Sequence, residues 1–417
     1  MCIPPDDREI LRGLAAEVAE IAQSPIHREK AELWRRLNDL EPVRPLVWIN
    51  EICWHEMNVD DELTLRCSDE WCRSQEQDLR RLLYQWRHLP GDMIVSDYLA
   101  CPLAVRSTGF GVGFREDTLA TDPTSDVLSH RYHPQITGMG DLEKIRAPEV
   151  TRDEAATQEN YERMCRLYEG IMPVRKVGRR AVGLWPWDIL ARWFGITESL
   201  TVLIDRPQLA HATMERITVA YLAQLDRMEE LNLLDRNDDN TRVGSGGYGY
   251  TGELPAEDHE PGHVRPRDMW GSTADQLFGA VSPEMHWEFG VQYELRWLER
   301  CGLTYYGCCE PLHDRIHVLE RIPNLRKVSV SPRADKRRAA EEIEDRYVYS
   351  LKPNPATLAE TRWRPQTARQ ELRRSLEAAR GCRVEIIMKD ISTVCYEPQR
   401  LWEWQRIAME EAQEHAP

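Results

Sequence analysis

The stretch Leu303-Thr304-Tyr305-Tyr306-Gly307-Cys308-Cys309-Glu310-Pro311-Leu312-His313 decides how the chain is read. Its first four residues are apolar or β-prone and predict a buried strand. Gly307 lets backbone or ligand approach closely, and Pro311 bars the strand from continuing. Two thiols, a carboxylate and an imidazole follow within six positions, where strand gives way to loop. In parallel α/β folds the carboxyl ends of strands face the active site. Either cysteine taken alone reads as a small buried hydrophobe. The cluster does not, because burying Glu310 and His313 beside them is costly without a partner or a ligand.

Outward from this stretch, helix and strand alternate. Ser282-Pro283-Glu284 starts a helix that Gly302 stops, and strands are predicted at 326–331, 347–351 and 384–392. Helices at 335–344 and 366–380 separate them, and Pro398 opens a closing helix. Upstream, strands are predicted at 44–51 and 92–95, with helices at 75–87 and 208–232 and a tryptophan-rich one opened by Trp185-Pro186-Trp187. Residues 7–40 carry the spacing of two helices broken at Ser24-Pro25. A polar region at 106–147 is expected to form long loops or a hairpin over one face. Alternation of this kind signals a parallel sheet, and about eight strand candidates predict that it closes into a TIM (β/α)8 barrel. It is assigned to residues 44–417, with 1–43 as an N-terminal helical extension packed outside it.

Composition narrows the function classes. A net charge of −16 argues against nonspecific nucleic-acid binding and against anionic membrane surfaces. No apolar run approaches a membrane span, and the start MCIPPDDREIL has no basic-then-apolar signal pattern. Eleven cysteines, an odd number without framework spacing, predict reduced thiols and a cytoplasmic location. Fourteen tryptophans against five phenylalanines suit a pocket lined by large amphipathic rings, or a tryptophan-rich core. Gly244-Ser245-Gly246-Gly247-Tyr248-Gly249 matches G-x-G-x-x-G, but Glu253-Leu254-Pro255 follows where a dinucleotide site needs a helix N-terminus. These glycines are read as a pliable loop at a strand end.

Polar residues gather at the predicted strand ends: Glu51, Asp97, Tyr98, Cys309, Glu310, Ser331, Lys352, Asn354, Lys389 and Asp390. In a barrel these ends converge on one mouth, where carboxylates and lysines shift one another's pKa values. Cys309, Glu310, Glu51, Asp97 and Lys389 are assigned catalytic roles. His55, Tyr98, Trp185, Tyr306, Lys352, Asn354 and Asp390 are assigned to substrate binding.

The chain resembles the uroporphyrinogen decarboxylase-like superfamily, which includes the decarboxylase and methyltransferases that work with corrinoid proteins. The resemblance rests on Arg44-Pro45-Leu46-Val47-Trp48, Asp205-Arg206-Pro207, Ser282-Pro283-Glu284, Tyr306-Gly307-Cys308-Cys309-Glu310 and Lys352-Pro353-Asn354-Pro355. The decarboxylase grips substrate carboxylates with arginine after its first strand; here Ile49-Asn50-Glu51-Ile52-Cys53 stands there, which disfavours a porphyrinogen. The methyltransferases hold zinc through His-x-Cys on the strand matching 303–309 and through a later cysteine. Here the histidine position is Gly307 or Tyr306, and the last strand contains no cysteine. Cys309, Glu310 and His313, with His55 or Asp390, form a substitute zinc set.

Two functions are carried forward. The first is a methyltransferase or demethylase moving a methyl group between a small substrate and a corrinoid or thiol acceptor. The second is a metal-free decarboxylase or lyase acting on a small carboxylic acid, with Lys352 or Lys389 holding the anion. A corrinoid protein and a homo-oligomer are the partners these readings imply.

Overall fold

Seven segments pair side by side, all parallel: β1 (Leu46–Ile49), β2 (Gly183–Leu184), β3 (Trp270–Thr273), β4 (Leu303–Tyr306), β5 (Leu325–Val330), β6 (Val348–Leu351) and β7 (Arg383–Met388). They come from a computed structural model that describes residues 3–120 and 128–416. From β2 to β7 each strand lies beside its successor, and β1 lies beside β7. Helices Lys336–Ile343, Pro365–Ala378 and Gln399–Glu414 follow β5, β6 and β7. Register aligns the carboxyl ends. Thr273 is opposite Tyr306, Val330 opposite Leu351 and Ile49 opposite Met388. Gly307, Ser331, Lys352, Lys389 and Asn50 therefore emerge along one edge.

The α/β class and the parallel sheet match expectation; a closed ladder is not seen. Among the described residues no ladder joins β1 to β2. Residues 92–95, expected as a strand, carry no ladder of their own. Asp92 instead ties this segment to β1, accepting from the Val47 N–H at 2.7 Å and from Arg44 at 2.6 and 2.9 Å. The polar region does contain a hairpin, Glu116–Ala120 against Leu128–Tyr132, with both strands largely exposed. Residues 121–127, part of the same expectation, lie outside the described residues. Among the described residues no helix is long and apolar enough to cross a membrane.

The N-terminal helices break at Ser24-Pro25 as the spacing predicts, giving Pro5–Ala22 and Ile26–Asn38. The first packs Leu11, Ala15 and Val18 with Cys72, Leu79 and Leu83 of helix Glu70–His88. The second sends Trp34 into a cluster with Leu46, Tyr248, Val348 and Ile387.

The glycine segment is not a pliable loop at a strand end. It is enclosed. A Cβ on Gly247 would sit 2.4 Å from the Trp34 ring, and one on Gly246 would sit 2.5 Å from the Glu385 carboxylate. Its backbone satisfies a buried ion pair. Lys327 Nζ donates to Glu385 at 2.9 Å and to the Tyr248 carbonyl at 3.2 Å, while the Gly247 N–H donates to Glu385 at 3.2 Å. Both charges are fully buried, which is tolerable only with such pairing and hydrogen bonding.

Gly247→Ala is therefore expected to lower unfolding free energy by about 1–3 kcal/mol, the cost of overpacking. Lys327→Met, which strands Glu385, should cost about 3–5 kcal/mol. Urea titration reads both, and wild-type stability in either variant would contradict an enclosed segment.

Candidate active site

Gly307 ends β4 at φ +98°, a left-handed conformation that glycine adopts without strain. A Cβ there would lie 2.5 Å from Leu312 and 3.0 Å from Ser329. The turn swings Cys308 and Cys309 over the strand ends. Glu310 turns back inward and is fully buried, accepting from the Cys308 N–H at 3.0 Å and the Asp275 N–H at 3.2 Å. It locks the loop rather than facing the mouth.

The two sulfurs lie 3.5 Å apart. Lys389, directly after β7, places Nζ 3.5 Å from Cys308 Sγ, 2.6 Å from Asp390 Oδ2 and 3.3 Å from Glu51 Oε2. Cys309 Sγ is also 3.5 Å from Asp390 Oδ2. Glu51 and Asp390 both hold positive φ, +52° and +56°, a costly conformation for side-chain-bearing residues and one that clusters at functional sites.

These contacts set the charges. A hydrogen bond from the Cys309 thiol, then the Lys389 ammonium, brings the Cys308 thiol down to about 7. Donating that bond pushes Cys309 up, so it stays a thiol. Burial alone would raise the Glu51 carboxyl, yet Arg242, the Asp390 N–H and Lys389 hold it at about 2. Burial likewise opposes the Lys389 charge, but Cys308, Glu51 and Asp390 raise its pKa above the ordinary value. The site thus sets a readily ionised thiol against an ammonium.

Glu51, Cys309, Lys389 and Asp390 meet as the strand-end rule predicts. Lys352 sits below them, buried, its Nζ donating to Tyr305 OH at 2.8 Å. Asp97 and Tyr98 lie elsewhere. Asp97 is mostly exposed and pairs with Arg175 at 3.6 Å, and Tyr98 OH accepts from Arg180 at 2.8 Å. Both line a separate cavity of about 610 Å³ with His27 and Tyr250. His55 pairs with Glu56 at 3.5 Å in a 3-10 turn and lines another cavity. Trp185 lies over Gly183, and Asn354 caps the turn Pro355–Thr357 by accepting from the Ala356 N–H.

Tyr306 points away from the mouth, into a fully buried group with His286 (2.8 Å), Glu294 (3.0 Å) and Asp275 (3.4 Å). Burial drives both carboxyls well up and His286 down to about 4, so this group is held without full charge. It is packed against a π-helical turn, Trp287–Val291, where Gly290 leaves room for Asp275.

The substitute zinc set is not assembled. Among the described residues no three His, Cys, Asp or Glu side chains converge to hold a metal ion. Glu310 faces inward, and His313 lies close enough to Asp314 and Asp335 to lower their pKa values. The cation beside the Cys308 sulfur is Lys389 itself.

Sequence reasoning missed Arg242, which reaches Glu51 at 2.6 Å. Its one signal was its position just ahead of Gly244-Ser245-Gly246. No family model and no curated protein matches the chain. Among solved structures it is similar to a methyltransferase from Methanosarcina mazei, at 12% identity and a TM-score of 0.48, covering 92% of this chain and 98% of that one. That likeness does not decide the chemistry.

Iodoacetamide should alkylate Cys308 before the other cysteines, with a rate that rises through pH about 7. Lys389→Met removes the cation that favours the thiolate, so the midpoint should move up. Peptide mass mapping across a pH series measures both, and equal labelling of Cys309 would contradict the assigned charges.

Proposed function

We propose that this chain is a thiolate-dependent methyltransferase or demethylase built on a uroporphyrinogen decarboxylase-like barrel, its ring spanned at the β1–β2 gap by the 92–98 and 237–250 segments. The observation that supports it is the 3.5 Å contact between Cys308 Sγ and Lys389 Nζ at the strand ends. The sulfur attacks the methyl carbon of a small donor; the S–C bond forms as the carbon–heteroatom bond breaks, and that electron pair leaves with the donor. Lys389 supplies the leaving group's proton and regains one from solvent at the open side of the site, or from the acceptor when that is a thiol. The methyl group then passes to a thiol or to a corrinoid carried by a partner protein, which restores the thiolate. Glu51, fixed by Arg242, and Asp390 keep the ammonium over the sulfur. The reading assigns no step to zinc, because the donor set does not converge.

A panel of methylated amines, thioethers and aryl methyl ethers, each with free cobalamin chemically reduced to its Co(I) form or a thiol as acceptor, tests this. Cys308→Ser should lose transfer by about 100-fold or more, as expected when a nucleophile is removed. Cys309→Ser should lose less, and S-methylcysteine should appear at position 308 when the acceptor is withheld. Full activity in Cys308→Ser would overturn the proposal.

A further inference from the structure

Cys308 and Cys309 are neighbours in sequence, and in an extended chain neighbouring side chains point to opposite faces. Here they converge, with their sulfurs 3.5 Å apart. The backbone around them is pinned. The Cys308 N–H donates to Glu310 at 3.0 Å, Ser329 Oγ donates to the Cys308 carbonyl at 2.8 Å, and Arg333 donates to the Cys309 carbonyl at 3.0 Å. Methyl transfer needs one nucleophilic sulfur and leaves the second thiol without a bond to make.

The surroundings divide the two sulfurs into a nucleophile and a resolving thiol. Lys389 Nζ stands 3.5 Å from Cys308 Sγ, and Asp390 Oδ2 stands 3.5 Å from Cys309 Sγ. The Cys309 hydrogen bond and the Lys389 ammonium favour a thiolate at Cys308, against burial, Glu310 and Asp390. Both cysteines are partly exposed and Asp390 beside them is exposed, so a small oxidant reaches them without a preformed cavity. Cys67, Cys72 and Cys301 are the opposite case, buried, with burial pushing each thiol up to about 12. An accessible, readily ionised sulfur beside a second thiol is the setting in which oxidation ends at a disulfide.

We propose that Cys308 and Cys309 form a reversible oxidative modification site, closed into a disulfide by a hydroperoxide and reopened by an external dithiol. The Cys308 sulfur attacks one peroxide oxygen; the S–O bond forms as the O–O bond breaks, and the leaving oxyanion takes a proton from Lys389. The Cys309 sulfur then attacks the Cys308 sulfur. The S–S bond forms, the S–O bond breaks, and the hydroxyl leaves with the Cys309 proton as water. Two electrons pass from the sulfur pair to the peroxide, and Lys389 regains its proton from solvent. Neighbouring Cα atoms stand about 3.8 Å apart, closer than the roughly 4.4–6.8 Å of an ordinary disulfide. The closed ring is therefore strained and easily reduced, as labile regulatory disulfides are. Closure does not depend on methyl transfer. Its consequence, a site silenced while the ring is closed, rests on Cys308 being the methyl-accepting sulfur.

Hydrogen peroxide, added in slight excess to the reduced full chain without any methyl donor, tests this. Alkylation in denaturant and peptide mass mapping should find the peptide holding both residues unalkylated and two hydrogens lighter. Cys67, Cys72 and Cys301 should be alkylated as before, and dithiothreitol should restore both missing alkyl groups. In Cys309→Ser, dimedone should trap a sulfenic acid at position 308. In Cys308→Ser, Cys309 should stay fully alkylated at the same peroxide dose. Overturning results are an unchanged wild-type pair, a dimedone adduct at Cys308 in place of the disulfide, a disulfide between two chains, or a buried cysteine oxidised first. Closure is read by mass alone, so an inactive panel of methyl donors would sink the methyl-transfer reading and leave this one standing.

Discussion

Gly246 and Gly247 lie where a single methyl group would collide with Glu385 or Trp34, and most of the interior depends on that fit. The inner face of the sheet carries Tyr305, Lys327, Ser350 and Glu385, all fully buried. Apolar side chains placed against them would leave two charges and two hydroxyls unsatisfied. A strip of bare backbone does better, because it brings an N–H for Glu385 and a carbonyl for Lys327. The polar interior and the glycine segment explain each other. Neither would be stable alone.

The same segment sets the electrostatics of the mouth. Arg242 stands two residues before Gly244 and fixes Glu51; Glu51 and Asp390 hold Lys389; Lys389 faces the Cys308 sulfur. Strand alternation then divides β4 between two polar groups. Tyr305 points inward to Lys352 and Ser245, while Tyr306 points outward to Asp275, His286 and Glu294. One strand thus carries a charged, partly open site on one side and a dry acid group on the other. Glu310 touches both, since it accepts from the Cys308 and Asp275 N–H groups.

What could be read from the chain follows from how local each signal is. β4 to β7, their helices and the strand-end residues Glu51, Lys352, Lys389 and Asp390 were legible because period and punctuation are local. Residues 92–95 also have strand composition, yet their neighbours are Asn240 and Tyr248 rather than a second strand, which moves Asp97 and Tyr98 to another cavity. Arg242 could not be found, since its partner is nearly two hundred residues away and glycine-rich composition signals flexibility, not enclosure. That Cys308 rather than Cys309 meets the Lys389 ammonium was not legible for a different reason. Gly307 leaves the strand at positive φ, so alternation no longer says which neighbour faces the opening. The same turn sends Glu310 inward to the Asp275 N–H.

The enclosed segment also fixes an order of events at the ribosome. Trp34 emerges first, its cover at Gly247 much later, and Glu385, which completes the cage, later still. Until then a large indole and a strip of unpaired backbone stay open to solvent, the kind of exposure that makes intermediates of larger chains aggregation-prone. Contacts of such long sequence separation close slowly. The nascent chain therefore carries its longest vulnerability at the point that later makes its centre rigid, and the thiolate can be activated only once Lys389 and Asp390 have been made.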